Sequence, residues 1–212
     1  MSEERDLRNA IVRWGRSLFE RGFTVGSSGN ISVRLDNGYL VTPTNSCMGF
    51  LDPDRLSRLD AGGEHVDGDK PTKERPLHFA FYETRPTARA VVHLHSTYAT
   101  ALSCLADVDP EDAIPPITPY VVMRVGRVPV VPYTKPGSPD VAPLIRAKAP
   151  DHPAILLANH GPVVAGTSLE STVFAAEELE ETAKLVVMTK GLNVRHLTAD
   201  NVADLNASFK LK

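Results

Sequence analysis

Three histidines and one glutamate have the types and spacing of a catalytic metal site. The segment Ala90-Val91-Val92-His93-Leu94-His95 reads as a strand. Residues i and i+2 of a strand share a face, so His93 and His95 offer two imidazoles on one side. A second apolar run, Ala154 to Ala158, leads into Asn159-His160-Gly161 and brings a third imidazole to the end of another buried strand. Unpartnered imidazoles beside Val91 and Val92 would carry a desolvation cost, and a metal ion removes it. Three neutral nitrogen donors are the ligand count of a catalytic zinc, which keeps one position open for water or substrate. Zinc, one per chain, is favoured by three imidazoles; manganese, cobalt or iron fits the same donors. Glu74 is the nearby carboxylate, although by itself it reads as a dipole-stabilised residue in the first turn of a helix. His65, His78, His152 and His196 lack this arrangement and read as surface or packing histidines.

Three further segments have anion-binding chemistry. Gly26-Ser27-Ser28-Gly29-Asn30 combines backbone N–H groups, two hydroxyls and an amide with glycines that allow close approach. Thr42-Pro43-Thr44-Asn45-Ser46 is a loop of the same kind, and Thr72-Lys73 adds a positive charge at a helix start. Together they suggest a phosphorylated small molecule.

The elements that must position these groups follow from periodicity. Leu7, Ala10, Ile11, Trp14 and Leu18 mark an amphipathic helix over about Glu3 to Arg21, stopped by Gly22. Ile31 to Leu35 and Tyr39 to Thr42, joined by Asp36-Asn37-Gly38, form a hairpin. Glu64 to Lys70 is polar and turn-rich. A helix capped by Thr72 runs to about Thr84, and a short one spans Ser96 to Leu105. Nine prolines between Pro110 and Pro143 exclude long helices there, leaving loops around strands at Val121 to Val125 and Val128 to Val131. A short helix covers Val141 to Lys148. The strand ending at His160 pairs with Pro162 to Ala165. The longest helix runs from Leu169 to Lys190, between a Thr167 or Ser168 cap and Gly191, and a peripheral helix spans Thr198 to Phe209. The expected class is α/β: a mainly antiparallel central sheet sandwiched by helices, in a single domain over residues 1–212.

Bulk properties narrow the partners. The chain has 212 residues, 42% of them hydrophobic, and a net charge of -3. No basic field is available for nucleic acid or an anionic membrane. No apolar run reaches membrane-spanning length, and the charged start Met1 to Asp6 does not read as a signal peptide. Cys47 and Cys104 form no disulfide framework and fit reduced thiols in the cytoplasm.

The ordered set Gly26-Ser27-Ser28-Gly29-Asn30-Ile31-Ser32, Thr42-Pro43-Thr44, Glu74, Val91-Val92-His93-Leu94-His95 and Ala158-Asn159-His160-Gly161-Pro162 resembles the class II aldolase/adducin family over roughly Leu7 to Lys190. The resemblance implies a sheet-centred sandwich. It implies zinc ligands at His93, His95 and His160, and an acid/base at Glu74 that also touches the metal when no substrate is bound. Ser27, Asn30, Thr44 and Thr72 fall on phosphate-binding positions, with Asn45 and Lys73 beside them. The implied assembly is a homotetramer with active sites at subunit interfaces, where Tyr120 would donate a proton from the neighbouring subunit.

The departures point to a branch. Aldolases of the family have Ser-Ser-Glu in place of Thr72-Lys73-Glu74 and Thr-Gly in place of Thr44-Asn45. The strings around Thr42 to Cys47, Gly68 to Glu74, Ile117 to Tyr120 and Leu156 to Gly166 resemble the 3-oxo-tetronate 4-phosphate decarboxylases. That branch converts a β-keto acid phosphate to dihydroxyacetone phosphate and CO2 through a zinc-stabilised enediolate. A sugar-phosphate aldolase or epimerase on the same scaffold is the alternative. A non-catalytic adducin-like binding module is a third reading, opposed by the intact histidines and Glu74.

Overall fold

The computed structural model describes residues 3–209. Eight strands form one sheet in the order β4-β3-β2-β1-β5-β8-β7-β6. They are β1 (Asn30–Leu35), β2 (Gly38–Val41), β3 (Ser57–Leu59), β4 (His65–Asp67), β5 (Ala90–His93), β6 (Val130–Val131), β7 (Ala154–Leu157) and β8 (Gly161–Gly166). Every pairing is antiparallel except β6 with β7. Seven α-helices accompany them: α1 (Glu3–Glu20), α2 (Arg75–Thr84), α3 (Thr97–Ser103), α4 (Pro119–Arg124), α5 (Val141–Lys148), α6 (Leu169–Thr189) and α7 (Ala199–Ser208).

Strand alternation divides the core in two. Ile31, Val33, Val92, Ala154, Leu156 and Val164 pack with α1, α3, α4 and α6. Val91, Ile155, Leu157, Val163 and Ala165 face the other way, against Leu77 and Phe81 of α2 and Ile145 of α5. The middle of the sheet is therefore buried on both faces, and β5, β7 and β8 are near-continuous apolar runs. His93 continues the Val91 side of β5, so the histidine lies in the layer covered by α2.

Four sequence expectations need correction. Val121 to Val125 is not a strand: it lies largely in α4, which Thr118 caps through its hydroxyl (Val121 N to Thr118 Oγ1, 3.4 Å) with Pro119 in the first turn. Burial of Val121, Val122 and Val125 in the α6-side core overrides their β-propensity. Glu64 to Lys70 contains β4, an edge strand with no buried residue, paired with β3. The strand carrying the histidines stops at His93. The helix after Thr72 starts at Arg75, so Glu74 is its N-cap residue and not part of its first turn.

The remaining elements lie where the periodicity places them. Gly22 and Gly191 both take positive φ after α1 and α6, and Thr198 with Asn201 closes a capping box on α7. Among the described residues no helix is long and apolar enough to cross a membrane.

Candidate metal centre

β5 delivers His93 fully buried, and its partner β1 sets Asn30 directly opposite it. Two residues on, past the end of β5, the half-buried His95 turns back toward His93. β7 and β8 are joined by a tight turn in which Asn159 takes φ 57° and His160 N–H bonds to Leu157 O at 3.0 Å. The turn needs glycine at 161: φ is +149°, and a Cβ there would lie 2.4 Å from Leu94 O. This approach brings His160 against the His93–His95 segment.

The three Nε2 atoms converge. His93 to His95 is 3.1 Å, His95 to His160 is 3.1 Å and His93 to His160 is 3.3 Å. His93 Nδ1 donates to Pro162 O at 2.9 Å, which leaves its Nε2 as a bare acceptor. A backbone carbonyl in this position is the usual orienting partner of a metal-bound imidazole. Glu74 completes the group, with Oε1 at 3.4 Å from His160 Nε2 and Oε2 at 3.6 Å from His93 Nε2. All four ligand atoms lie within 4.8 Å of one another. Oε1 is buried without a hydrogen-bond partner among the described residues.

This donor set fits a divalent ion. Tetrahedral Zn–N bonds of about 2.0–2.1 Å place nitrogens roughly 3.3–3.4 Å apart, close to the spacing of this trio. His93 Nε2 is a bare acceptor with two further imidazole nitrogens aimed at the same point, and Oε1 is an orphaned carboxylate oxygen beside them. A cation resolves both.

Electrostatics keeps the nitrogens available. Burial, then the neighbouring His160 and His95, holds His93 well below the ordinary histidine range. Burial and His160 lower His95; burial lowers His160, with a further contribution from the Lys73 charge. Behind them His78 is pushed down to about 3, chiefly by burial. Because these folded-state values lie below the unfolded value of about 6.5, the unfolded chain takes up protons first as the pH falls. Stability present above pH 6.5 is therefore lost progressively below it, toward the His78 value. We expect the melting temperature of metal-free protein to be flat above about pH 7 and to fall steadily from pH 6.5 to 4. A constant melting temperature from pH 7 to 5 would contradict neutral buried histidines.

The three small polar segments gather at the same end of the sheet. Thr72 N–H bonds to Thr42 O at 3.2 Å and Thr44 N–H to Lys70 O at 2.9 Å, around a bridge between Pro43 and Pro71. Thr44 and Asn45 are thereby fastened beside Thr72 and Lys73; they line a cleft of about 490 Å³ with Lys70, Asp52 and an Arg55–Asp69 ion pair, and none of the four metal-cluster residues borders it. Thr72 Oγ1 accepts the Glu74 N–H at 3.2 Å, so the hydroxyl fixes the glutamate backbone and does not cap α2. Lys73 is exposed, and Gly137 lies so close that a Cβ there would sit 3.0 Å from Lys73 Cγ. Asn30 donates from Nδ2 to Glu74 Oε2 at 2.8 Å. Ser27 is exposed in its loop, and Gly29 takes φ +77°, where a Cβ would meet His93 O at 2.9 Å. Tyr120 is not brought to the cluster within this chain: it lies on α4, 53% exposed, with Arg124 over its ring. A cavity of about 740 Å³ near the C-terminal end of α6 includes none of these residues.

Two contributors escaped the sequence reading. His78 is buried in α2 and bonds to Asn30 and Ser32. Glu180, buried in α6, accepts the Tyr98 and Ala99 N–H groups, each at 2.8 Å, and so anchors the first turn of α3 just after His95. Glu180 reads in sequence as one charge in a long acidic helix, whereas the polar pair Asn30 and Ser32, alternating with Ile31 and Val33, was a usable sign that a partner such as His78 had to exist.

Comparison with known proteins agrees with this geometry. The class II aldolase and adducin N-terminal domain matches residues 9–187. The chain belongs to the class II aldolase/adducin family. Within it, the chain is 51% identical over 207 residues to the 3-oxo-tetronate 4-phosphate decarboxylase of Pectobacterium atrosepticum, covering 97% of this chain and 95% of that one. It is 32% identical over 208 residues to the L-fuculose phosphate aldolase of Haemophilus influenzae, covering 96% and 94%. The crystal structure of YgbL from Escherichia coli superposes with a TM-score of 0.94 at 50% identity, covering 96% of this chain and 99% of that one. Class II aldolases are metal-dependent, and the family frame matches the donor set found here.

Proposed function

We propose that this chain is a carboxy-lyase that converts 3-oxo-tetronate 4-phosphate to dihydroxyacetone phosphate and CO2. The observation that carries the reading is 51% identity to a decarboxylase of that name over nearly the whole of both chains. The converging His93, His95, His160 and Glu74 supply a site able to do the chemistry, which a binding module would not need.

His93, His95 and His160 would hold one zinc per chain, and Glu74 would approach the ion when no substrate is bound. When bound, the ion supplies Lewis acidity that stabilises negative charge on the substrate oxygens. Loss of CO2 breaks the C1–C2 bond and leaves its electron pair delocalised onto the ketone oxygen. No proton has to be removed first, in contrast to an aldol cleavage, whose leaving aldehyde begins as a hydroxyl. One proton must then reach C2. In this reading Glu74 takes up a proton from water on Oε1, the oxygen with no other partner among the described residues, delivers it to C2 and is left as the carboxylate, to be reprotonated from water in the next turnover. In the homotetramer with shared sites that the family resemblance implies, Tyr120, 53% exposed on α4, would be presented to a neighbouring copy. Unpaired Cys47 and Cys104 fit a reducing cytoplasm.

Ser27, Asn30, Thr44, Asn45, Thr72 and Lys73 form the phosphate side of the site. Lys73 is assigned to the phosphate because gripping the departing carboxylate would stabilise the ground state and oppose CO2 loss. A charge-assisted contact contributes about 1.5–3 kcal/mol, or roughly 10- to 150-fold in affinity. Lys73→Ser is therefore expected to weaken substrate binding and inhibition by inorganic phosphate together. Unchanged phosphate inhibition with slower decarboxylation would move Lys73 to the carboxylate.

The function itself is tested with metal-loaded enzyme and a panel of four-carbon keto-acid phosphates and sugar 1-phosphates. CO2 release from 3-oxo-tetronate 4-phosphate is expected. Aldehyde release from a sugar phosphate without CO2 from any acid would replace the decarboxylase with an aldolase.

A further inference from the structure

β1 carries a polar stripe in an otherwise apolar sheet. Ile31 and Val33 enter one core, while Asn30 and Ser32 lie buried on the face that α2 covers. There they join a continuous hydrogen-bonded line of five buried side chains. Tyr82 OH and Ser32 Oγ are 2.8 Å apart, Ser32 Oγ and His78 Nδ1 are 2.7 Å, His78 Nε2 and Asn30 Oδ1 are 2.5 Å, and Asn30 Nδ2 and Glu74 Oε2 are 2.8 Å.

The direction of the line follows from its end. A carboxylate accepts, so the Asn30 NH2 faces Glu74 and its carbonyl oxygen faces His78. That oxygen can only accept, so His78 Nε2 carries a hydrogen. Nδ1 of a neutral ring is then an acceptor, and Ser32 donates to it. The Ser32 oxygen in turn accepts from Tyr82. Burial keeps two members of the line in the required state: His78, at its middle, is pushed down to about 3 and stays neutral, and the Tyr82 phenol is raised above its ordinary range and keeps its proton. Every link has one donor and one acceptor, with no conflict along it.

The consequence falls on Glu74. Oε2 is committed to Asn30, whereas Oε1 has no hydrogen-bond partner among the described residues and faces His160 at 3.4 Å. We infer that His78 is a positioning residue: its Nε2–H locks the Asn30 amide so that Glu74 presents Oε1 to the histidine cluster. Asn30 keeps one Nδ2 hydrogen for a ligand, so its place near a phosphate is compatible with this duty. The kinetic consequence rests on the proposed decarboxylation; the tautomer of His78 does not.

Two substitutions separate positioning from packing. His78→Gln keeps a donor near the Nε2 position, toward Asn30. His78→Asn keeps a polar group near the Nδ1 position, toward Ser32, and leaves Asn30 without its donor. We expect kcat of His78→Gln within about 3-fold of wild type, and kcat of His78→Asn reduced by about 10- to 100-fold with KM little changed, the scale of a misplaced reacting group. Equal losses in both, or a loss confined to KM, would reduce His78 to a packing residue. The second measurement is the ring-nitrogen NMR of metal-free wild-type protein, which needs no variant to fold. A bare Nδ1 and a protonated Nε2 are expected at His78. A protonated Nδ1 would reverse the line and overturn the inference. If wild type releases no CO2 from any of the acids, the functional proposal fails while the tautomer still decides this one.

Discussion

Replacing His95 by alanine is expected to empty the metal site while leaving the fold intact. Wild-type protein purified from zinc-sufficient medium should carry about one divalent ion per chain. Four-ligand zinc-finger sites bind with about 10–16 kcal/mol, or roughly 3 kcal/mol per ligand, so losing one ligand weakens affinity by about 100-fold, enough for dialysis against a chelator that wild type withstands to strip the variant. His95 is the informative choice among the three histidines. His93 is fully buried and bonded to Pro162 O, so its loss would leave a cavity and strip that carbonyl of one of its two hydrogen bonds, the other coming from Leu94 N–H. His95 lies beyond the end of β5 and is half-buried, so truncation removes little packing. Elemental analysis should find far less than one ion per chain, turnover should fall with it, and the melting temperature of the metal-free form should stay within a few degrees of wild type. A full complement of metal in this variant would take His95 out of the ligand set.

That such an experiment can be designed from sequence rests on a rule that worked for a reason other than the one it states. The i, i+2 spacing put His93 and His95 on one face of a strand, yet the strand stops at His93. The rings still meet because the Gly161 turn presses the β7–β8 connection against Leu94 and His95 and fixes the exit of β5. Chemical type and local spacing were readable; the turn geometry that brings the third histidine in was not. The small polar loops proposed to hold the phosphate show the same division. Each could be recognised from its small polar residues, but their meeting depends on the Pro43–Pro71 bridge, a contact of two loops far apart in sequence. Val121 to Val125 was misread because β-branched residues carry a strand signature, and the Thr118 cap with Pro119 decided otherwise. His78 was set aside as a solitary histidine. Its significance lies in Asn30 and Ser32, reached across the sheet–helix interface, and a single imidazole in an apolar helix gives no sign of what faces it.

Glu74→Gln should retain much of the metal and lose most of the turnover. The substitution is nearly isosteric, and the Asn30 Nδ2–H can still bond to the Gln oxygen, just as it does to Oε2. The amide nitrogen then takes the place of Oε1, beside His160. An NH2 group there can neither deliver nor accept a proton at C2 near neutral pH. A positioned acid or base contributes about 10²- to 10⁴-fold, so a fall in kcat of at least roughly 100-fold is expected. Metal affinity should fall less, because three imidazoles remain; KM should change little, because the loops proposed to hold the phosphate are untouched. Measuring metal content, kcat and KM on one preparation separates these effects. Turnover near wild type with full metal would remove Glu74 from proton delivery and pass that role to Tyr120, which Tyr120→Phe would then test. Loss of metal in step with loss of turnover would instead make Glu74 chiefly a ligand. The His78 variants then become the sharper probe, since they disturb how the carboxylate is held and leave the carboxylate itself in place.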